Sequence, residues 1–359
     1  MKIALIGNTG LSIYIYRFEL CERLLKEGHE VYVICPNDNY VTEMVEKGCK
    51  HYEVAVDRHG TNPIKDLKLL KEYKRVLKEI KPDIVFTYTI KPNIYGAMAC
   101  KKLKIPCSIN VTGLGTAVEK GGILQIVTTM LYKIALKKVK TVFFQNQDNM
   151  QFFIDKKIAL GKHYLLPGSG VNLEKFALMN LPSEDNIAFV FISRIMKEKG
   201  IDNYLDSAKC IKEKYPNTIF QVCGFCEEDY EQKLKEYHDN GIIVYHGMVC
   251  DIRTVLKDVH CTVHPSYYPE GLANVLLESG ATGRAIITTD RAGCREVLVD
   301  GVNGYLVKQD DTEDLIKQIE KYLALSYQEK VQMGLNGREK VEKEFDRQIV
   351  IERYLKELE

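Results

Sequence analysis

The chain has 359 residues, 45% hydrophobic and 28% charged, so a small stapled scaffold is excluded and two domains are expected. The longest apolar runs, such as 187–192, fall far short of the roughly 18 residues of a membrane-spanning helix, and the chain enters a strand pattern at once, which reads as cytoplasmic. Net charge is only +1, yet residues 1–167 hold 26 Lys and Arg against 16 Asp and Glu, while residues 168–359 hold 24 against 33.

β-Branched and aromatic runs alternate with amphipathic stretches along the whole chain, the pattern of parallel sheets wound with crossover helices. In the first half the expected strands are 3–6, 31–35, 52–56, 83–88, 107–111, 141–145 and 164–166. The first leads through Gly7-Asn-Thr-Gly10 into a helix, a turn where backbone can approach a ligand, although it is not the Gly-x-Gly-x-x-Gly fingerprint of an NAD-dependent enzyme. A later helix is capped by Asn62, opened by Pro63 and ended by Pro82, with Ile64, Leu67, Leu70, Val76, Leu77 and Ile80 at helical spacing. Residues 123–140 carry an apolar face of Leu124, Val127, Leu131, Ile134 and Leu136 and end in Lys137-Lys-Val-Lys140. That segment and the lysine-studded helix before it suit an anionic membrane surface, or simply bury one face and solvate the other. The basic half has no recognisable nucleic-acid reading element, so no nucleic-acid partner is expected.

Pro-Gly-Ser-Gly and a polar stretch across 167–186 interrupt the periodicity and mark a boundary. The expected domains are 1–167 and 168–345, with a last helix over 346–359 packing back on the first. The second repeats the grammar with strands at 187–193, 218–223, 242–246, 261–264, 285–289 and 304–307. Two Rossmann-like domains in tandem are therefore expected. Eleven scattered cysteines without a secretory segment read as reduced thiols, and Cys223-Gly-Phe-Cys226 reads as a strand-end loop rather than a redox or zinc motif.

The densest stretch is Val263-His-Pro-Ser-Tyr-Tyr-Pro-Glu270-Gly-Leu-Ala-Asn-Val-Leu-Leu-Glu278. Glu270-Gly271 is expected to open a helix whose N–H groups at Gly271, Leu272 and Ala273 form an anion and hydroxyl site. Glu278 then lies about two turns on, roughly 12 Å along the axis, so the two carboxylates can hold different hydroxyls of one elongated ligand. Taken alone, the pair is more often a helix-start acid plus a solvated glutamate. His264, beside a proline at a strand end, reads as packing.

Glu270-x7-Glu278 after His-Pro-Ser, with Ser193-Arg194-x4-Lys199-Gly200, resembles the retaining glycosyltransferases of family 4. Gly283-Arg-Ala-Ile-Ile-Thr-Thr-Asp290, Gly293-Cys-Arg-Glu296 and Asp300-Gly-Val-Asn-Gly304 extend the resemblance over nearly the whole chain. It implies the α/β GT-B fold, two Rossmann-like domains with parallel sheets facing a central cleft. It also implies Arg194 and Lys199 on the nucleotide diphosphate, Glu270 on the transferred sugar and Glu278 on ribose hydroxyls, with Gly224, Gly271, Leu272 and Ala273 lining the donor. Cations suit a departing diphosphate, Arg as a fork and Lys as a point charge. With no Asp-x-Asp in the chain, no metal or other cofactor is expected.

Within the family the first half is most like bacterial enzymes that extend sugars on undecaprenyl diphosphate, including the α-1,3-N-acetylgalactosaminyltransferases of the bacillosamine pathway. The matching stretches are Ser12-Ile-Tyr-Ile-Tyr-Arg17, Lys91-Pro-Asn-Ile-Tyr-Gly96 and Val111-Thr-Gly-Leu-Gly115. The resemblance places Gly10, Tyr14, Arg17, Lys91, Asn110, Thr112 and Gly113 on the acceptor side. The expected partners are a UDP-sugar, a polyprenyl-diphosphate-linked saccharide and the inner membrane face. A UDP-N-acetylglucosamine 2-epimerase shares the tandem domains but not the glutamate spacing, and a non-catalytic scaffold would not need Arg194, Lys199 and both glutamates.

Overall fold

Short apolar runs form two separate parallel sheets, each inside its own contact unit. The computed structural model describes residues 1–57, 60, 62–119 and 121–359. One unit comprises residues 1–169 with 350–359, the other residues 170–349.

The first unit holds β1 (Lys2–Ile6), β2 (Glu30–Cys35), β3 (Lys50–Glu53), β4 (Ile84–Tyr88), β5 (Cys107–Val111), β6 (Val142–Phe144) and β7 (His163–Leu165) in the order β3-β2-β1-β4-β5-β6-β7. In β1, Ile3 and Leu5 enter one core cluster and Ala4 and Ile6 the other, so both faces are buried and the run needs no polar alternation. The second unit holds β8 (Ile187–Ile192), β9 (Thr218–Cys223), β10 (Val244–Tyr245), β11 (Cys261–His264), β12 (Ala285–Thr289) and β13 (Gly304–Val307), ordered β10-β9-β8-β11-β12-β13. Phe189 and Phe191 lie in one core cluster and Ala188 and Val190 in another.

Several elements differ from expectation. β3 begins at Lys50 and pairs with β2 from Tyr32 to Cys35, two residues earlier than the apolar pattern, because an edge strand needs only one partner and one buried face. β10 is likewise shorter than its apolar run. The helix Pro63–Ile80 keeps its Asn62 cap, accepting from the Ile64 N–H at 2.9 Å, but buries Leu69, Tyr73, Val76, Leu77 and Ile80 while Ile64 and Leu67 face solvent. No described helix is long and apolar enough to cross a membrane.

In doubly wound sheets, ligands bind beyond the carboxyl ends of the strands where the order reverses. These points lie between β1 and β4 in the first unit and between β8 and β11 in the second.

Candidate active site

The loop after β8 carries Arg194 and Lys199, and the loop after β11 carries Tyr268 and Glu270. Two glycines let these loops meet their neighbours. Gly224, after β9, has φ +149°, and a Cβ there would lie 1.8 Å from the Ser193 carbonyl oxygen. It acts by seating the β9 loop against the loop that bears Arg194. Gly200 has φ +78°, and its Cβ would lie 2.2 Å from the Pro265 carbonyl oxygen. Lys199 is thereby carried to the end of β11, where its ammonium pairs with the Glu270 carboxylate.

Both cations lie over one aromatic ring: the Arg194 guanidinium carbon is 5.2 Å and the Lys199 nitrogen 4.9 Å from the Tyr268 centroid. The negative face of the ring offsets part of the repulsion between two neighbouring cations. Arg194 is part-exposed and 3.6 Å from Glu227. Burial, with the Arg194 charge beside it, pushes the Lys199 ammonium down to about 7, and contact with Glu270 opposes that fall. His264 is fully buried with neither ring nitrogen hydrogen-bonded, and desolvation followed by the Lys199 charge holds its imidazole down to about 3. It is neutral at physiological pH and packs at the β11 end.

The Glu270 segment is a loop, not the start of a helix. The helix runs Asn274–Ala281, and the Ala273 N–H, expected to point toward a ligand, donates to the Gly293 carbonyl at 2.7 Å. The side chains of Leu272 and Ala273 enter a core cluster, which leaves only their backbone for contact with a ligand. Glu270 and Glu278 consequently belong to different elements rather than one helical face. Burial raises the Glu278 carboxyl to about 7, against the opposing charges of Arg347 and Lys175. Cys223 and Cys226 are free thiols, the latter 3.9 Å from the Tyr245 hydroxyl.

In the first unit, the loops after β1, β4 and β5 follow the carboxyl ends of three adjacent parallel strands, and several acceptor-side candidates there are already engaged. Gly10 opens the helix Gly10–Lys26, but the Asp38 carboxylate accepts from the Leu11 N–H at 2.9 Å, occupying the place an anion would take. Tyr14 donates to Glu43 at 2.6 Å, which raises its phenol to about 12. Arg17 is buried over the Tyr88 and Tyr354 rings, 4.9 and 5.9 Å from their centroids, and donates to the Tyr16 carbonyl. Lys91 is 2.7 Å from Asp66, which also accepts from Tyr95. Asn110 lies inside β5, fully buried, and donates to the Tyr354 hydroxyl, so its amide nitrogen is engaged in the core. Thr112 and Gly113 come after the strand and are half-buried.

Two family descriptions match the chain: Glycosyl transferase 4-like over residues 2–146 and Glycosyl transferases group 1 over residues 175–340. The chain belongs to the family 4 glycosyltransferases. This retaining glycosyltransferase is 28% identical to the N,N'-diacetylbacillosaminyl-diphospho-undecaprenol alpha-1,3-N-acetylgalactosaminyltransferase of Campylobacter jejuni, covering 99% of this chain and 98% of that one. It is 25% identical to the UDP-Gal:alpha-D-GlcNAc-diphosphoundecaprenol alpha-1,3-galactosyltransferase of Escherichia coli, over 89% and 87% of the two chains. Its GT-B fold is shared with HepE of Anabaena, solved with UDP-glucose, at TM-score 0.82 and 18% identity over 100% and 99% of the chains.

Two features of this candidate site were not expected from the sequence. Tyr268 supplies the ring shared by both cations, and Arg291 donates to its carbonyl at 3.3 Å. The available signal was a Tyr-Tyr pair just before Glu270, but its contact with Arg194 and Lys199 is made between loops that are distant in sequence.

Proposed function

We propose that this glycosyltransferase moves a hexose or N-acetylhexosamine from a UDP-sugar to a polyprenyl-diphosphate-linked saccharide, in bacterial capsule, O-antigen or glycoprotein-glycan synthesis. The carrying observation is the convergence of Arg194, Lys199 and Glu270 around Tyr268 at the switch point of the second sheet. The lipid-diphosphate acceptors in the names of the Campylobacter jejuni and Escherichia coli relatives support the acceptor class.

On this reading the second unit holds the donor and the first the acceptor. Arg194 presents a fork to the diphosphate and Lys199 a compact charge, which stabilise the negative charge that grows as the bond from the anomeric carbon to the β-phosphate oxygen breaks. Glu270 contacts the transferred sugar and Glu278 the ribose hydroxyls. The acceptor hydroxyl attacks from the face the phosphate leaves, forming the new glycosidic bond, and its proton passes to the departing β-phosphate oxygen. The enzyme works at the cytoplasmic face of an anionic membrane.

Incubation with a panel of UDP-sugars and a short-chain prenyl-diphosphate saccharide tests this. The expected product carries one added sugar with the anomeric configuration of the donor, read by NMR; an inverted linkage, or no extension with any donor, would overturn it.

A further inference from the structure

The helix Gly122–Ala135 is inside out. Its buried positions are Thr128, Tyr132 and Ala135, while Ile123, Ile126 and Met130 are 81%, 66% and 62% exposed and Leu124, Val127 and Ile134 are exposed too. Ile123, Val127, Met130 and Ile134 recur at intervals of four, three and four residues, so they lie along one stripe opposite the buried residues, about 16 Å long. A helix serving only this unit's core would turn those side chains inward. An outward apolar stripe of this length marks an interaction surface.

Its surroundings identify the partner. Residues 121–140 contain four lysines and no Asp or Glu, the nearest acid being Glu119. Lys133, Lys137 and Lys138 are exposed, and the neighbouring helix Ala97–Leu103 brings Lys101, which donates to the Ile134 carbonyl at 3.2 Å, together with exposed Lys102 and Lys104. A second exposed apolar pair, Ile64 and Leu67, opens the helix Pro63–Ile80, which packs on the same Pro92–Gly96 turn as the helix Gly122–Ala135. An apolar stripe bordered by cations matches the acyl boundary of an anionic bilayer, where the side chains insert and the lysines meet headgroups. A second copy of this chain would bring like charges together around the same stripe.

We infer that the helix Gly122–Ala135 is an insertion element that lies flat in the interface of an anionic membrane and anchors the first unit there through Ile123, Ile126, Val127, Met130 and Ile134. The inference rests on the lipid-linked acceptor reading only in its biological sense; the surface argument stands on exposure and charge.

Flotation of the full chain with phosphatidylcholine vesicles, with and without phosphatidylglycerol, tests it. Binding is expected to be stronger to the anionic vesicles, and the paired substitution Ile126→Asn with Met130→Asn is expected to weaken it roughly tenfold or more, with an unchanged far-UV spectrum because both side chains are already in water. The chain contains no tryptophan, so Ile126→Trp provides a single reporter whose emission is expected to shift to the blue on anionic vesicles and be quenched by brominated lipid. No vesicle binding, binding indifferent to the paired substitution, or an unshifted reporter would overturn the inference. So would a vesicle-free dimer that the paired substitution dissociates, which would make the face a contact between copies. Extension of a short-chain acceptor without vesicles reports on the proposed reaction separately, so either idea can fail alone.

Discussion

Raising the pH from 7 to 9 removes the proton from Lys199, and burial decides why the loss comes so early. An exposed lysine stays charged to about 10.4, whereas Lys199, desolvated beside Arg194, is brought down to about 7. Its positive form is present below that value and lost above it. If a bound diphosphate requires the charge, donor binding must take up a proton in this range. About half of the Lys199 side chains are charged at pH 7 and about one in a hundred at pH 9, a roughly fiftyfold loss of affinity or about 2.3 kcal/mol. The Glu270 contact favours the charged lysine and trims the loss, so the expected fall is roughly tenfold to fiftyfold. Glu278, raised to about 7, ionises over the same range with the opposite effect as it gains acceptor capacity for ribose hydroxyls. His264, down at about 3, stays neutral throughout. Calorimetric titration of UDP into the Glu278→Gln protein isolates the lysine, and two buffers of different ionisation enthalpy count the protons. Lys199→Arg in the same background should flatten the profile. A dissociation constant unchanged between pH 7 and 9, with no proton uptake at pH 8, would refute the reasoning.

The same geometry sets the outcome of other perturbations. Arg194→Ala is expected to cut turnover about a hundredfold or more while the melting temperature moves little, because Arg194 is part-exposed and its carboxylate partner Glu227 remains in water; kinetics and melting together check it. Tyr268→Leu is expected to raise the donor KM about five- to thirtyfold by removing the ring beneath both cations, whereas Tyr268→Phe should retain most of the wild-type value. Glu278→Gln tests burial by its pH signature: a carboxyl raised to about 7 from about 4.3 makes the native protein lose stability as pH rises between those values. The variant lacks that loss, so it should melt higher than the wild type at pH 8 and alike near pH 4, and bind UDP more weakly at pH 8, where the native carboxylate is ionised, but about equally near pH 4.

The alternation of apolar runs and helices was legible because parallel strands buried on both faces need uninterrupted hydrophobic residues, as Ile3 to Ile6 and Phe189 to Phe191 show. The edge strand β3 was displaced because Lys50 and His51 carry no apolar signal and their pairing is fixed by β2. The helix near Glu270 begins at Asn274, and the Ala273 N–H just before it donates across the fold to the Gly293 carbonyl instead of opening a ligand site. Composition alone cannot reveal such a contact. The stripe over 123–140 was visible in the sequence, but which side is buried depends on tertiary packing, which places Tyr132 and Ala135 in the core cluster with Phe153 and buries Thr128 beside them. The acceptor-side candidates show the same limit: Lys91 and Asn110 are polar in sequence, yet Asp66 and Tyr354 take them up internally.

UDP release measured across a panel of UDP-sugars, with and without a prenyl-diphosphate saccharide, tests most directly whether the cations around Tyr268 draw a nucleotide diphosphate away from a sugar. The expected result is slow release from at least one donor, accelerated by acceptor and lost in a folded Lys199→Ala protein. Undiminished release by that variant, or none from any donor in the wild type, would contradict it.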